Sequence, residues 1–208
     1  MSISSVILAG GSSSRLGKEK HTEVIAGKSL LERTIDQLKP LSNEILIVIS
    51  TSQSSASFSS YTEARTVVDL YPGKGSLGGI YTGLKHSTSF HALAVACDMP
   101  FLNSDLLRYL ISLCPAFDVV IPVIDDLVEP LHAIYSKNCL PAIEILLKEG
   151  NLKVRGLFDS VKVRYVGKEE IDRFDSTHLS FFNINTREDL ENARRLATQA
   201  ASNVEKAD

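Results

Sequence analysis

Five short runs of this chain, Val6-Ile7-Leu8, Ile45-Leu46-Ile47-Val48-Ile49, Thr66-Val67-Val68, Ala92-Leu93-Ala94-Val95-Ala96 and Val119-Val120-Ile121, are almost wholly aliphatic, and several carry no polar position at all. A strand with one face in water alternates apolar and polar residues. Runs without alternation predict strands covered on both faces, as in a parallel sheet. Helical patterns lie between them at residues 29–38, 77–85, 104–113 and 137–148; in the first, Leu30, Leu31, Thr34, Ile35 and Leu38 share one face. This alternation predicts an α/β fold of Rossmann-like, three-layer form, with ligands bound beyond the carboxyl ends of the strands. Residues 129–135 and 161–166 also read as strands, at least one of them antiparallel at an edge, so the expected central sheet is mixed but mostly parallel.

The 208 residues are 44% hydrophobic and 23% charged, enough to bury the core of one domain spanning 1–208 and too few for a second full domain. Residues 50–61 are rich in serine and are expected to form a mobile, unburied connection. A last helix is expected over 187–198, with Thr186 as its N-cap and Asp189 three residues on, followed by a frayed tail at 200–208. The net charge of −3, without any run of Lys or Arg, leaves no footprint for nucleic acid or an anionic membrane, whereas small phosphorylated ligands remain allowed. Cys97, Cys114 and Cys139 are widely spaced, with no metal-binding pattern, and read as core thiols in a reducing compartment. The start has no basic segment, and its apolar run is too short for a signal sequence or membrane span, so a cytoplasmic location is expected.

The chemistry concentrates first in Leu8-Ala9-Gly10-Gly11-Ser12-Ser13-Ser14-Arg15-Leu16-Gly17-Lys18-Glu19-Lys20. The segment follows a strand. Its paired glycines let backbone amides approach an anion, and Arg15 and Lys20 add cations at a five-residue spacing. A Walker loop is excluded because Ser12 and Glu19 stand where it needs a glycine and a Ser or Thr, and the dinucleotide-binding glycine spacing is absent. A plain strand-to-helix turn would need the glycines but not the flanking cations. The segment is therefore read as a triphosphate holder.

Asp98, in Ala96-Cys97-Asp98-Met99-Pro100, follows an apolar strand directly and so stands where open α/β sheets place ligands. One or two carboxylates beside a triphosphate suffice for Mg²⁺. The competing role, capping the next helix, falls to Ser104 as the nearer cap. In Phe182-Asn183-Ile184-Asn185-Thr186 the two asparagines would share a face in extended chain and reach one ligand or hydrated metal; spacing alone supports a turn before the last helix almost equally.

The pattern Leu8-Ala9-Gly10-Gly11-x-Ser-x-Arg15-Leu16-Gly17-x-x-Lys20 resembles the signature of the nucleotide-sugar pyrophosphorylase-like nucleotidyltransferases, and among them the molybdenum cofactor guanylyltransferases. The likeness extends from Val6 to about Leu196 and omits residues 50–61 and the tail. It includes Gly27-Lys28-Ser29-Leu30-Leu31, with Ser29 in place of the common proline, and Asp69-x-x-Pro72 followed by Ser76-Leu77-Gly78-Gly79. It departs at His21-Thr22-Glu23, where small or aliphatic residues are usual.

The resemblance implies that Arg15 and Lys20 neutralise the triphosphate, and that Leu8, Ala9, Gly10, Gly11 and Ser12 wrap the nucleotide. It places Asp69, Gly78 and Gly79 along the nucleoside and Mg²⁺ at Asp98. It tips Asn183 and Asn185 towards a functional role. Glu129-Pro130-Leu131-His132-Ala133-Ile134-Tyr135 is similar to the family's strand beside the acceptor, which makes His132 a candidate contact; its alternative is a structural histidine. Arg155, with Lys153, would supply cations for the acceptor phosphate or else form a solvated basic turn.

The implied reaction is transfer of GMP from GTP to molybdopterin with release of pyrophosphate, and Arg15, Lys20 and Asp98 are its candidate catalytic residues. The acceptor phosphate is already anionic, so positioning and charge neutralisation are expected to replace a general base. Transient contact with proteins that deliver molybdopterin or mature molybdoenzymes is implied as well. A cytidylyltransferase is the nearest rival, although such relatives read Leu-Ala-Ala-Gly at the loop and Gln where this chain has Met99. Sugar-1-phosphate nucleotidyltransferases are generally longer. A non-catalytic nucleotide- or cofactor-binding module would have no need to retain Arg15, Lys20 and Asp98 together.

Overall fold

The computed structural model describes residues 2–10 and 20–204, with side chains up to residue 199. Among the described residues ten strands run β1 (Ile3–Leu8), β2 (Val24–Ile25), β3 (Lys28–Ser29), β4 (Glu44–Ile49), β5 (Arg65–Val68), β6 (His91–Ala96), β7 (Val119–Ile124), β8 (Leu127–Val128), β9 (His132–Ser136) and β10 (Val163–Val166). The α-helices are α1 (Leu30–Leu38), α2 (Gly75–His86), α3 (Ser104–Leu113), α4 (Leu140–Glu149), α5 (Lys168–Ile171) and α6 (Arg187–Val204).

The central sheet has the order β10-β7-β9-β6-β1-β4-β5, with β8 paired to β7. Each predicted aliphatic run is a strand of this sheet; β1, β4, β6 and β7 are covered on both sides, whereas the edge strand β5 buries Val67 on one face and leaves Val68 exposed. Val6, Leu46, Val48, Ala92 and Ala94 pack on α2 and α4 on one side. Ile7, Ile45, Ile47, Ile49 and Val95 pack on α1 and α3 on the other. The strands lack alternation because they lie between two helical layers. Helix α6 adds a smaller cluster in which Leu190, Ala193 and Ala197 meet Ile25, Leu30 and Ile184.

The antiparallel strand is interior, not at an edge: β9 runs against both β6 and β7, while the edge strand β10 is parallel to β7. The cause is a tight reversal at Asp125 and Asp126, whose φ angles of 48° and 64° join β7 to β8 and send the chain back along the sheet. Aspartate tolerates this left-handed backbone better than most residues. Glu129 and Pro130 precede β9 and are not part of it.

Three local expectations are also corrected. Helix α3 is capped by Asn103, not Ser104; the Asn103 side chain accepts from the backbone N–H groups of Asp105 and Leu106. Residues 137–148 divide into a 3₁₀ turn, Lys137–Cys139, and α4. Residues 50–61 are anchored: they include a 3₁₀ turn, Ser55–Phe58, and Phe58 is buried at 1% exposure. The Thr186–Asp189 cap of α6 forms reciprocally, and the helix continues to Val204 into the expected tail.

Candidate functional site

A cleft of about 760 Å³ opens at the carboxyl ends of β1, β4, β5 and β6. Its lining takes Leu8, Ala9 and Gly10 from the end of β1, Ser50 after β4, Asp69 after β5, and Cys97 and Asp98 after β6. Four parallel strands ending side by side leave a crevice where the chain must turn away, which is where α/β sheets bind ligands.

The cleft's charged centre is Lys20. Its Nζ lies 2.9 Å from Asp98 Oδ2 and 3.0 Å from Asn185 Oδ1. Both partners of the ion pair are mostly sheltered, with side-chain exposures of 18% and 16%, so solvent screens the attraction less than on an open surface. Residues 183–185 are tied to the same strand end, since Ile184 N donates to Asp98 O at 3.0 Å. Asn183 also lines the cleft.

Asp69 forms the opposite wall. Its Oδ1 accepts from Thr82 Oγ1 at 2.8 Å and from Tyr71 N at 3.0 Å, which ties the turn after β5 to α2. Helix α2 presses on β1: a Cβ at Gly79 would lie 2.7 Å from Leu8 Cδ2, so any larger residue there would displace the Leu8 side chain. Gly78 packs instead against Tyr71, where a Cβ would stand 2.9 Å from its carbonyl oxygen, and it does not line the cleft.

A model of the MobA-like NTP transferase domain matches residues 5–164. The chain belongs to this family. It is similar over most of its length to proteins named molybdenum cofactor guanylyltransferase. That of Syntrophotalea carbinolica is 36% identical over 92% of this chain and 90% of its own, and that of Desulfosudis oleivorans is 33% identical over 92% and 94%. The crystal structure of molybdopterin-guanine dinucleotide biosynthesis protein A from Archaeoglobus fulgidus superposes with a TM-score of 0.82, covering 94% of this chain and 99% of its own at 30% identity.

In this MobA-like transferase the structure brings together Leu8, Ala9, Gly10, Lys20, Asp69, Gly79, Asp98, Asn183 and Asn185. Gly11, Ser12 and Arg15 lie outside the described residues. Two of the residues expected beside the acceptor stand elsewhere. His132 is wholly buried, packed on the Phe181 ring at 4.6 Å, and neither ring nitrogen has a hydrogen-bond partner. Burial pushes its pKa down to about 4, against a weaker opposing pull from Asp175, so the imidazole is neutral. A side chain sealed in this way is not presented to a ligand in the cleft, whose lining takes Leu131 from the turn before β9 and not His132. Arg155 Nη2 donates to Asp126 O at 2.5 Å and does not line the cleft.

The site also includes residues that motif reading passed over. Gln53 and Ser52 reach the cleft from the serine-rich segment, and His21 reaches it beside Lys20. Cys97 belongs to it as well; burial, with Asp98 beside it, pushes the thiol up to about 12, so it is a neutral wall and not a nucleophile. All three cysteines are buried thiols outside any disulfide. Among the described residues no group of three His, Cys, Asp or Glu could hold a metal alone, and no helix is long and apolar enough to cross a membrane.

Proposed function

We propose that this MobA-like transferase moves GMP from GTP to the terminal phosphate of molybdopterin, releasing pyrophosphate. The observation that carries the reading is the contact of Lys20 with both Asp98 and Asn185, which joins a cation, a carboxylate and a carbonyl oxygen at one point of the cleft. The similarity over 92% of the chain to proteins named for this activity supports it.

An oxygen of the acceptor phosphate attacks the α-phosphorus and forms a new P–O–P bond. The α–β bridging P–O bond breaks, and its electron pair leaves with pyrophosphate. Lys20, with Arg15, neutralises the departing oxygens, and the cleft holds the reactants in line. The donor set fits a divalent cation of the Mg²⁺ kind, since one carboxylate at Asp98 and amide oxygens at residues 183 and 185 leave positions for water and phosphate oxygens. When bound, such a cation supplies positive charge to the reacting phosphates. With such a cation bound, Asp98 would hold it in place of Lys20, leaving the Lys20 ammonium to pair with phosphate. Asp69 borders the nucleoside, and Asn183 and Asn185 border the acceptor. Arg155 and His132 have no contact role in this reading. The substrate chemistry and the three neutral thiols suit the cytoplasm, and hand-over of product to molybdoenzyme maturation proteins would be transient.

The test is pyrophosphate release from each of the four NTPs with Mg²⁺ and molybdopterin. Release with GTP alone is expected. Release with CTP alone would reject the base assignment, and nucleotide binding without release from any NTP would make the chain a binding module.

A further inference from the structure

The serine-rich segment, residues 50–61, and the turn that carries Lys20 meet in the structure. Phe58 stacks on His21 with ring centroids 4.5 Å apart and planes at 28°. Both rings are buried, at 1% and 2% exposure. His21 is the middle residue of the 3₁₀ turn Lys20–Thr22, so its ring fixes the turn that carries Lys20.

The same segment also grips the end of β1. Gln53 Nε2 donates to Ala9 O at 3.2 Å, while Gln53 Oε1 accepts from Ser50 N at 2.9 Å. One side-chain amide thus satisfies a carbonyl just beyond β1 and an N–H just beyond β4. Gly10 lies against this turn, where a Cβ would stand 2.9 Å from Ser50 N. The serines keep the segment folded locally: Ser54 Oγ accepts from Ala56 N, and Ser59 Oγ donates to Ala56 O. Such side-chain-to-backbone bonds hold a polar segment in place without an apolar core of its own.

We propose that Gln53 and Phe58 are positioning residues, which hold Ala9 with Gly10 and Lys20 with His21 at the separation that nucleotide binding and transfer require. The proposal rests on the functional reading above. Gln53 acts through a backbone that would touch nucleotide in ground state and transition state alike, so its loss falls on affinity. Phe58 acts through Lys20, which meets the leaving group, so its loss falls on turnover.

The experiment combines equilibrium dialysis of GTP with Mg²⁺, steady-state pyrophosphate release with GTP or ITP, and thermal melting. Gln53→Ala should weaken GTP binding and raise its KM about fivefold to tenfold, the worth of one buried hydrogen bond, with a smaller change in kcat. ITP should suffer equally. Phe58→Leu should lower kcat about tenfold with a smaller change in KM. Exposed Ser57→Ala should change nothing.

A loss confined to GTP in Gln53→Ala would make Gln53 a guanine contact and overturn its positioning role. Unchanged kinetics in Gln53→Ala and Phe58→Leu would reduce the segment to packing. If Phe58→Leu melts too low to assay, Phe58→Met takes its place, and unchanged kcat there overturns the Phe58 half. Dialysis needs no acceptor, so a wrong acceptor leaves the Gln53 result standing, whereas failure of the unaltered protein to bind any NTP overturns both readings.

Discussion

The wall of the cleft assigned to the nucleotide hangs from parallel strands, with Gly10 after β1, Ser50 after β4, Asp69 after β5 and Asp98 after β6. The wall assigned to the acceptor comes from irregular chain, with Leu131 just ahead of β9 and residues 183–185 just ahead of α6. The difference lies in what fixes each wall. Ladder hydrogen bonds set the strand ends in register, so a residue one or two positions beyond a strand has little freedom. Irregular chain is placed only by its own anchors, here Ile184 N on Asp98 O and Asn185 on Lys20. A scaffold with one rigid wall and one separately anchored wall can keep its nucleotide chemistry while its acceptor side varies.

The sharpest way to break this comparison is at Asp98, where the walls meet. Asp98→Ala removes both the proposed cation ligand and the partner of Lys20. Turnover should fall about 10³-fold, the scale of deleting a central electrostatic group, measured by pyrophosphate release under saturating GTP. Near-normal Mg²⁺-dependent turnover would remove Asp98 from the chemistry.

Lys20→Met should cost about 10²-fold in kcat, since Arg15 keeps part of the positive charge on the leaving group. Asn185→Ala probes the irregular wall alone. It deletes one hydrogen bond to Lys20 and leaves the Asp98 ion pair in place. About a fivefold loss in kcat/KM is expected, expressed mainly in the acceptor's KM. An Asn185 effect as large as that of Lys20 would show that the two walls act as one unit.

The same division decides what could be read from the residues in order. Unbroken aliphatic runs marked the covered strands, and a strand end needs no tertiary knowledge to mark Asp98 as a cleft residue, whereas Asp69 was marked by the family resemblance. The path of β9 was hidden because the reversal uses Asp125-Asp126, a weaker hairpin signal than Asn-Gly or Asp-Gly. Residues 50–61 look unburiable by composition, yet two aromatics, Phe58 and Tyr61, pack them on the core, and serine side chains satisfy the backbone locally. Lys20 and Asn185 lie at opposite ends of the chain, and no spacing rule connects them. His132 opens β9 beside the cleft, yet the turn residue before it, Leu131, lines the cleft and His132 does not, a distinction that depends on how the turn is packed.

The smallest expected effect on activity is at His132. As a buried residue outside the cleft, His132→Leu should keep kcat and both KM values within about twofold, because no transition-state contact is removed. Its effect belongs to stability. Both ring nitrogens are buried without partners, so replacing the imidazole should raise the unfolding free energy by about 1 kcal/mol at pH 7, where histidine is neutral in folded and unfolded chains. The gain should widen in acid. The folded-state pKa is pushed down to about 4 from the usual 6.5, so between these values the unfolded chain binds the proton and the folded chain does not. Stability of the unaltered protein therefore falls as pH drops from 6.5 towards 4, and His132 accounts for about 2 kcal/mol of that loss by pH 5. Urea unfolding of both proteins at pH 7 and pH 5 measures the two differences. An equal gap at both pH values would mean that His132 is not buried as a neutral ring, and a large loss of acceptor affinity in His132→Leu would return it to the acceptor wall.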